Sequence, residues 1–181
     1  MAQQNMHFEY TIRVAVLSTL AYETMRDHID KIVVYLPNIV GMKILERKES
    51  GNSVFVTSHW QGKHVLPDII GQIIKVADMS WIDRAEWKND TQVCAWSYEP
   101  FIFKDYIRMS GTDTFIAEGD ATAVKLEGEI DVNFLHYPLI PTVLKKKINE
   151  QISNILYSLV EPNFTMIYRG LEKYINNIPP R

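Results

Sequence analysis

The chain has 181 residues, of which 46% are hydrophobic and 23% charged, and its formal net charge is −3. This length suits one domain with a buried core, and we expect residues 1–181 to form a single domain. The charge balance gives no basic field for nucleic acid, and a single cysteine, Cys94, excludes a disulfide within the chain. No apolar run reaches the roughly 20 residues that cross a bilayer, and the polar N-terminus is unlike a signal peptide, so we expect a cytoplasmic protein without stable membrane insertion.

The first fifth of the chain predicts a strand followed by two short helices. Apolar residues alternate with polar ones over residues 7–17, which is the period of a half-buried strand. Ser18 is a suitable helix N-cap, and the apolar residues after it recur at helical spacing. A second helical stretch begins at Lys31 and stops at Pro37.

The middle of the chain predicts an antiparallel sheet. Strand-like patterns separated by turn residues occupy residues 40–44, 54–60, 69–76, 81–88, 93–98, 106–117 and 124–132. The last of these places four aliphatic residues on one face and four charged residues on the other, so one sheet face is buried and one wet. Gly111 and Gly128 lie inside two strands, where glycines predict bulges or bends that curl the sheet.

The C-terminal part predicts a long helix. An apolar stripe at helical spacing runs through residues 142–160, a length sufficient to cross the sheet. The residues expected to point away from the sheet are Asn149, Glu150, Ser153 and Asn154. Pro162 predicts a kink or the start of a second helix.

Local features accompany this element order: the strand-to-helix entry at residues 14–18, the Tyr35-Leu36-Pro37 exit, the Glu86-Trp87 pair and the turn at residues 119–122. The chain thereby resembles the START-like superfamily, the helix-grip proteins that include the birch pollen allergen and the polyketide cyclase/lipid-transport proteins. The resemblance implies an α+β fold in which a curved antiparallel sheet of about seven strands wraps a long C-terminal helix. It also implies a cavity between them for an apolar or amphipathic small molecule. No catalytic motif is common to that superfamily, so catalytic residues stay unassigned.

The predicted cavity wall consists of side chains on the inferred inner faces of strands and helix. These are Trp60, Trp81, Asp83, Trp87, Trp96, Tyr98, Met109, Leu126, Leu144, Ile148, Ile152 and Leu156. Asp83 shares a strand face with two tryptophans, and if that face is interior, desolvation raises its pKa. If the face is outward, Asp83 is an ordinary surface group, and the tryptophans serve equally well as core.

Other polar residues carry weaker signals. His59 and His64 lack the spacing of a metal site, and we expect neither a metal ion nor a cofactor. His136 lies either at the cavity mouth or in solvent. Lys145, Lys146 and Lys147 occupy the first turns of the long helix, where they oppose its dipole. They predict weak contact with an anionic surface or, alternatively, a solvated face compensated by Glu150.

Three functions are compatible with these features. The first is a carrier or sensor that binds a lipid-like or polyketide-like molecule without a catalytic motif of its own, and the sequence favours it. The second is a polyketide cyclase/dehydrase-like enzyme in which Asp83 or His136 moves protons. The third is a protein-interaction module. The ligand and the oligomeric state are left open.

Overall fold

The computed structural model of the chain describes residues 4–63, 79–138 and 140–177. The strands are β1 Gln4–Val14, β2 Ile39–Ser50, β3 Ser53–Gly62, β4 Ser80–Lys88, β5 Val93–Pro100, β6 Ile107–Glu118 and β7 Ala121–Val132. The helices are α1 Ser18–Ile32 and α2 Thr142–Asn176, with single 3₁₀ turns at Val33–Tyr35 and Phe134–His136. The strand predicted at residues 69–76, and also His64, lie outside the described residues.

The described strands form one antiparallel sheet in the order β1-β7-β6-β5-β4-β3-β2. From β2 to β7, each strand pairs with the next one along the chain, and β1 pairs with β7 at the edge of the sheet. The alternation of buried residues follows the predicted faces, as in β3, where Val54, Val56, Ser58 and Trp60 are all buried. The prediction of a curved sheet of about seven strands with a long C-terminal helix is confirmed.

The segment between β1 and β2 is one irregular helix followed by a 3₁₀ turn. His28 has φ −134° and ψ 23°, which are non-helical values, so α1 is bent at that residue. The helix predicted to begin at Ser18 is confirmed, whereas the second, predicted from Lys31 to Pro37, is the end of α1 and a single 3₁₀ turn. Ala21, Tyr22 and Met25 of the first half are buried, and they tie it to the sheet.

Helix α2 is continuous for 35 residues, with Pro162 inside it. The second helix that Pro162 was expected to start is therefore not a separate element. A proline inside a helix costs about 3 kcal/mol, but Phe164, Tyr168 and Leu171 beyond it are all buried. Their packing offsets that cost, since tertiary burial supplies most of the stability of a helix in a protein.

Two polar residues of α2 face inward, so the prediction that they point away is wrong. Asn149 and Ser153 are 4% and 0% exposed. The Asn149 Oδ1 accepts a hydrogen bond of 2.7 Å from the backbone N–H of Phe134, and the Ser153 hydroxyl donates to the Asn149 carbonyl at 2.8 Å. Because these polar atoms are satisfied, burying them costs little.

Gly111 and Gly128 lie opposite each other in a continuous register of β6 and β7, so of the two predicted alternatives, a bulge or a bend, the bulge does not occur at this pair. Their role is steric. A Cβ on Gly111 would lie 2.6 Å from the Trp96 ring, and one on Gly128 would lie 2.5 Å from the Phe8 ring. The glycines therefore allow two aromatic rings to lie directly on the strands.

Candidate functional site

The register of the sheet settles which face of each strand points toward α2. Asp83 lies opposite Ser58 of β3 and Tyr98 of β5, and Tyr98 lies opposite Met109 of β6. These residues share the face on which the Trp96 ring contacts Phe164 of α2, with centroids 5.2 Å apart. The face that carries Asp83 is therefore the concave, interior one.

A continuous set of rings covers one end of this face, and we call it the aromatic wall: Trp60, Trp81, Tyr98, Trp96 and Phe164. Trp60 and Trp81 stack at 5.9 Å with an interplanar angle of 9°, and Trp81 lies 6.4 Å from Tyr98. Tyr98 stacks on Trp96 at 4.7 Å, and both rings contact Phe164. Trp81 and Tyr98 are only half-buried although they face inward, so the described residues do not fill this end completely.

The other end of the face, which we call the filled end, lies beneath α1. Trp87 packs edge-on against Tyr22 of α1 at 5.5 Å and is 6% exposed. Phe115 contacts Tyr22, Trp87 and Tyr168, and Leu126 is fully buried. Trp87 and Leu126, two of the predicted wall residues, are thus packed as core.

Asp113, which the sequence analysis did not single out, is the buried carboxylate of the filled end. The Trp96 Nε1–H donates to its Oδ1 at 2.8 Å, and the Tyr168 hydroxyl donates to its Oδ2. Desolvation raises the pKa of Asp113 to about 6, against the effect of these two donors, which lower it. Strand alternation could have identified Asp113 as buried, because it lies two residues before Phe115 and therefore on the same inward face of β6.

Asp83 is the carboxylate of the aromatic wall, and its surroundings are incomplete. The Trp60 Nε1–H donates to the Ser58 Oγ at 2.9 Å, and the Ser58 hydroxyl donates to the Asp83 Oδ2 at 3.3 Å. The Asp83 Oδ1 is shielded from solvent, and no hydrogen-bond partner for it occurs among the described residues. Desolvation raises the pKa of Asp83 to about 7, although the Ser58 hydroxyl and the nearby Trp60 N–H lower it. The Trp60 N–H acts at closer range on Ser58, to which it donates.

The remaining predicted wall residues lie at different depths. Met109 faces inward and is half-buried, Ile148 and Ile152 are buried on α2, and Leu156 is half-buried. Leu144, in the first turn of α2, is 42% exposed. The site made of all twelve residues stays a prediction, and the structure divides it between the aromatic wall, the filled end and the surface of α2.

The other candidate polar groups lie on the surface. His136 is exposed on its 3₁₀ turn, whereas Asp83 is interior, so the structure does not present them as one acid–base pair. Lys146 Nζ lies 3.9 Å from Glu150, the compensation expected of a solvated helix face. Contact of the three lysines with an anionic surface stays a prediction.

A cavity of about 700 Å³ lies beside the glycine pair of β6 and β7. Its walls are polar and apolar in nearly equal parts, and the lining residues are His7, Phe8, Glu9, Ala95, Trp96, Ser110, Gly111, Thr112, Glu127, Gly128, Glu129 and Tyr157. Most of these, such as Glu9, Ser110 and Glu127, alternate with the inward-facing residues and lie on the outer face of the sheet. The outer side of the sheet therefore provides most of this lining, and Trp96 is the one residue of the aromatic wall within it.

The described part of the site region holds no reactive thiol. Cys94 is a buried free thiol, and burial raises its pKa well above the usual value. Within residues 4–63, 79–138 and 140–177, no three His, Cys, Asp or Glu side chains cluster as a metal site would require. In the same ranges, neither helix is both long and apolar enough to span a membrane.

Comparison with known proteins gives matches of structure only, because no family model and no curated protein sequence matches the chain. The Zhui aromatase/cyclase from Streptomyces sp. R1128 has a TM-score of 0.69 at 15% identity, over 96% of this chain and 94% of that one. A START superfamily protein from Mycobacterium smegmatis has a TM-score of 0.56 at 14% identity, over 95% and 98%. Ara h 8.0201 has a TM-score of 0.59 at 11% identity, over 96% and 99%.

These structures share the element order and the sheet-on-helix architecture described above. The chain therefore has the START-like helix-grip fold, as its resemblance predicted. At this level of identity the likeness establishes the fold and assigns no ligand or reaction.

Proposed function

We propose that the protein binds a flat, apolar or amphipathic small molecule against the aromatic wall, between the sheet and α2. The observation that carries this proposal is the incomplete burial of inward-facing rings beside a shielded carboxylate oxygen that has no partner among the described residues. A ligand that covers Trp81 and Tyr98 removes apolar surface from water, and ring stacking adds to that gain. The occurrence of this fold in an aromatase/cyclase and in a START superfamily protein is consistent with a site of this kind.

Equilibrium dialysis with fluorene, a flat hydrocarbon without polar atoms, tests the proposal. We expect saturable one-to-one binding, which Trp81→Ala weakens by about tenfold, since a lost stacking partner is worth on the order of 1.4 kcal/mol. Phe55→Ala is the matched control, because Phe55 is 41% exposed on the outer face of β3. Fluorene binding that is absent, or unchanged in Trp81→Ala, would refute a site at the aromatic wall.

A second candidate function, acid–base catalysis, is favoured by the interior position of Asp83, whose Oδ1 is shielded and has no partner among the described residues. Desolvation there raises the pKa of Asp83 to about 7. A group of that pKa accepts and returns protons efficiently near neutral pH. The test is deuterium incorporation from D₂O at the carbon beside the carbonyl of 2-tetralone. A catalyst of proton transfer would exchange that position faster than its Asp83→Asn variant. Equal exchange by the wild type, the variant and buffer would rule this function out for Asp83.

A further inference from the structure

The hydrogen bonds around Asp83 run in one direction. An indole N–H can only donate, so the Ser58 Oγ accepts from the Trp60 Nε1–H. The hydroxyl of Ser58 then has its own hydrogen to donate, and Asp83 Oδ2 receives it. Oδ2 is thereby fixed as an acceptor, and a proton carried by the Asp83 carboxyl belongs on Oδ1.

Oδ1 is the atom left without a partner in the described part of the chain. We propose that protonated Asp83 donates a hydrogen bond from Oδ1 to an oxygen acceptor of the ligand, so that this site selects flat apolar molecules bearing a carbonyl-type oxygen. This inference rests on the proposed function, because it assumes that the aromatic wall holds a ligand. A buried polar atom without a partner is costly, and a ligand oxygen at this position removes that cost.

The position of Asp83 decides which part of a ligand it reaches. Asp83 and Trp81 point to the same side of β4, and Asp83 lies directly opposite Tyr98 across the β4–β5 ladder. Trp81 and Tyr98 are the half-buried rings of the aromatic wall. A flat molecule lying on these two rings would therefore be next to Asp83. Because Oδ1 is closed to solvent in the ligand-free structure, a ring carbonyl at the edge of that molecule reaches Oδ1 by displacing the side chains that cover it.

The charged and titratable groups around Asp83 favour its neutral form near pH 6. On β5, Cys94 and Tyr98 are neutral because burial raises the pKa of each. On β6, Asp113 repels a negative charge on Asp83. The Tyr168 hydroxyl of α2 donates its hydrogen to Asp113 and therefore has none to donate to Asp83. Arg84 on β4 opposes this effect but is exposed and pairs with Glu99 at 3.1 Å. Desolvation is the largest cause of the raised pKa of Asp83, and the repulsion by Asp113 adds to it.

A matched pair of probes tests this hydrogen bond. Fluorene and 9-fluorenone have the same flat ring system, neither titrates between about pH 5.5 and pH 8.5, and only the second carries a carbonyl. The quantity measured by equilibrium dialysis is the ratio of their dissociation constants at each pH. We expect the preference of the wild type for 9-fluorenone to fall by about fivefold or more between these pH values, because a neutral hydrogen bond is lost. Fluorene affinity should change far less.

Asp83→Asn is the informative variant, because its Nδ2–H can donate to the carbonyl while its Oδ1 accepts from Ser58. We expect its preference for 9-fluorenone to be independent of pH. Asp113 is still present in Asp83→Asn. A preference that does not change with pH in this variant therefore also excludes Asp113 as the titrating group. The wild-type measurement stands without the variant, so a folding defect in Asp83→Asn does not remove the test.

The outcomes separate the two proposals. Fluorene binding with a preference that is constant or increases with pH in the wild type overturns the role of Asp83 and leaves the ligand site standing. Failure of both compounds to bind overturns the site and this inference together. A pH-dependent preference that persists in Asp83→Asn also overturns the inference, since another group then titrates.

Discussion

Trp81 and Trp87 lie on the same face of β4, six residues apart, yet their surroundings differ. Trp87 is covered by Tyr22 of α1 and by Phe115, while Trp81 stacks on its neighbours and stays half-buried. The two interior aspartates repeat this difference. Both oxygens of Asp113 accept hydrogen bonds, whereas Asp83 Oδ1 has no partner within the described residues. The same residue types thus complete a core at one end of the sheet and leave inward-facing ring surface partly uncovered at the other.

The largest expected difference between the two ends is in stability. Trp87→Ala should lower the free energy of unfolding by about 3–5 kcal/mol, because it leaves a cavity in a packed core. Trp81→Ala should cost only about 1–2 kcal/mol, since less of its surface is removed from water on folding. Urea unfolding of both variants measures these values. Equal losses in the two variants would mean that the ends are equally filled.

The second effect is the pH dependence that Asp83 imposes. Its pKa is raised from 3.8 to about 7 in the folded protein, so the unfolded chain releases this proton first as the pH rises. Stability linked to Asp83 is therefore fully present below about pH 4 and is lost as the pH rises toward its folded pKa.

Compared with Asp83→Asn, the wild type should lose about 2–3 kcal/mol of stability between about pH 5 and pH 8. Chemical unfolding of both proteins across this range provides the measurement, and the contribution of Asp113 cancels in the difference apart from its repulsion of Asp83. Parallel pH profiles would show that Asp83 is not desolvated as described.

The smallest effect concerns the tyrosine hydroxyls of the two ends. Tyr168→Phe removes a donor from buried Asp113 and should cost about 1–3 kcal/mol, more at pH 8 than at pH 5 because the ionised carboxylate loses more. The control is Tyr98→Phe in the aromatic wall, which should change stability by less than about 0.5 kcal/mol. A loss of equal size in both variants would contradict the assignment of Asp113 as the carboxylate with both oxygens occupied.

The sequence predicts which face of a strand each residue occupies better than it predicts which other elements pack on that face. Period-two alternation placed Asp83 beside Trp81 and Trp87, which is the observed arrangement. Alternation says nothing about where α1 lies, so it could not separate Trp87, which is core, from Trp81, which is half-exposed. That distinction depends on contacts between residues 65 positions apart, such as Tyr22 and Trp87.

Errors in α2 have a similar origin. Asn149 and Ser153 are polar and were expected to face solvent, but the backbone N–H of Phe134 provides a partner for Asn149 in the interior. Pro162 was expected to kink the helix or to start a second one, and buried residues on both sides keep it within one continuous helix. Composition and helical spacing carry no information on such specific tertiary partners.

The four tryptophans of the chain, Trp60, Trp81, Trp87 and Trp96, offer the most direct test of a ligand site at one end of the sheet. Their indole N–H signals in a ¹H–¹⁵N spectrum are assigned by single Trp→Phe variants and followed during addition of fluorene. We predict the largest shift for Trp81, smaller shifts for Trp60 and Trp96, and none for Trp87. A spectrum in which Trp87 shifts most, or in which no indole signal moves, would contradict it.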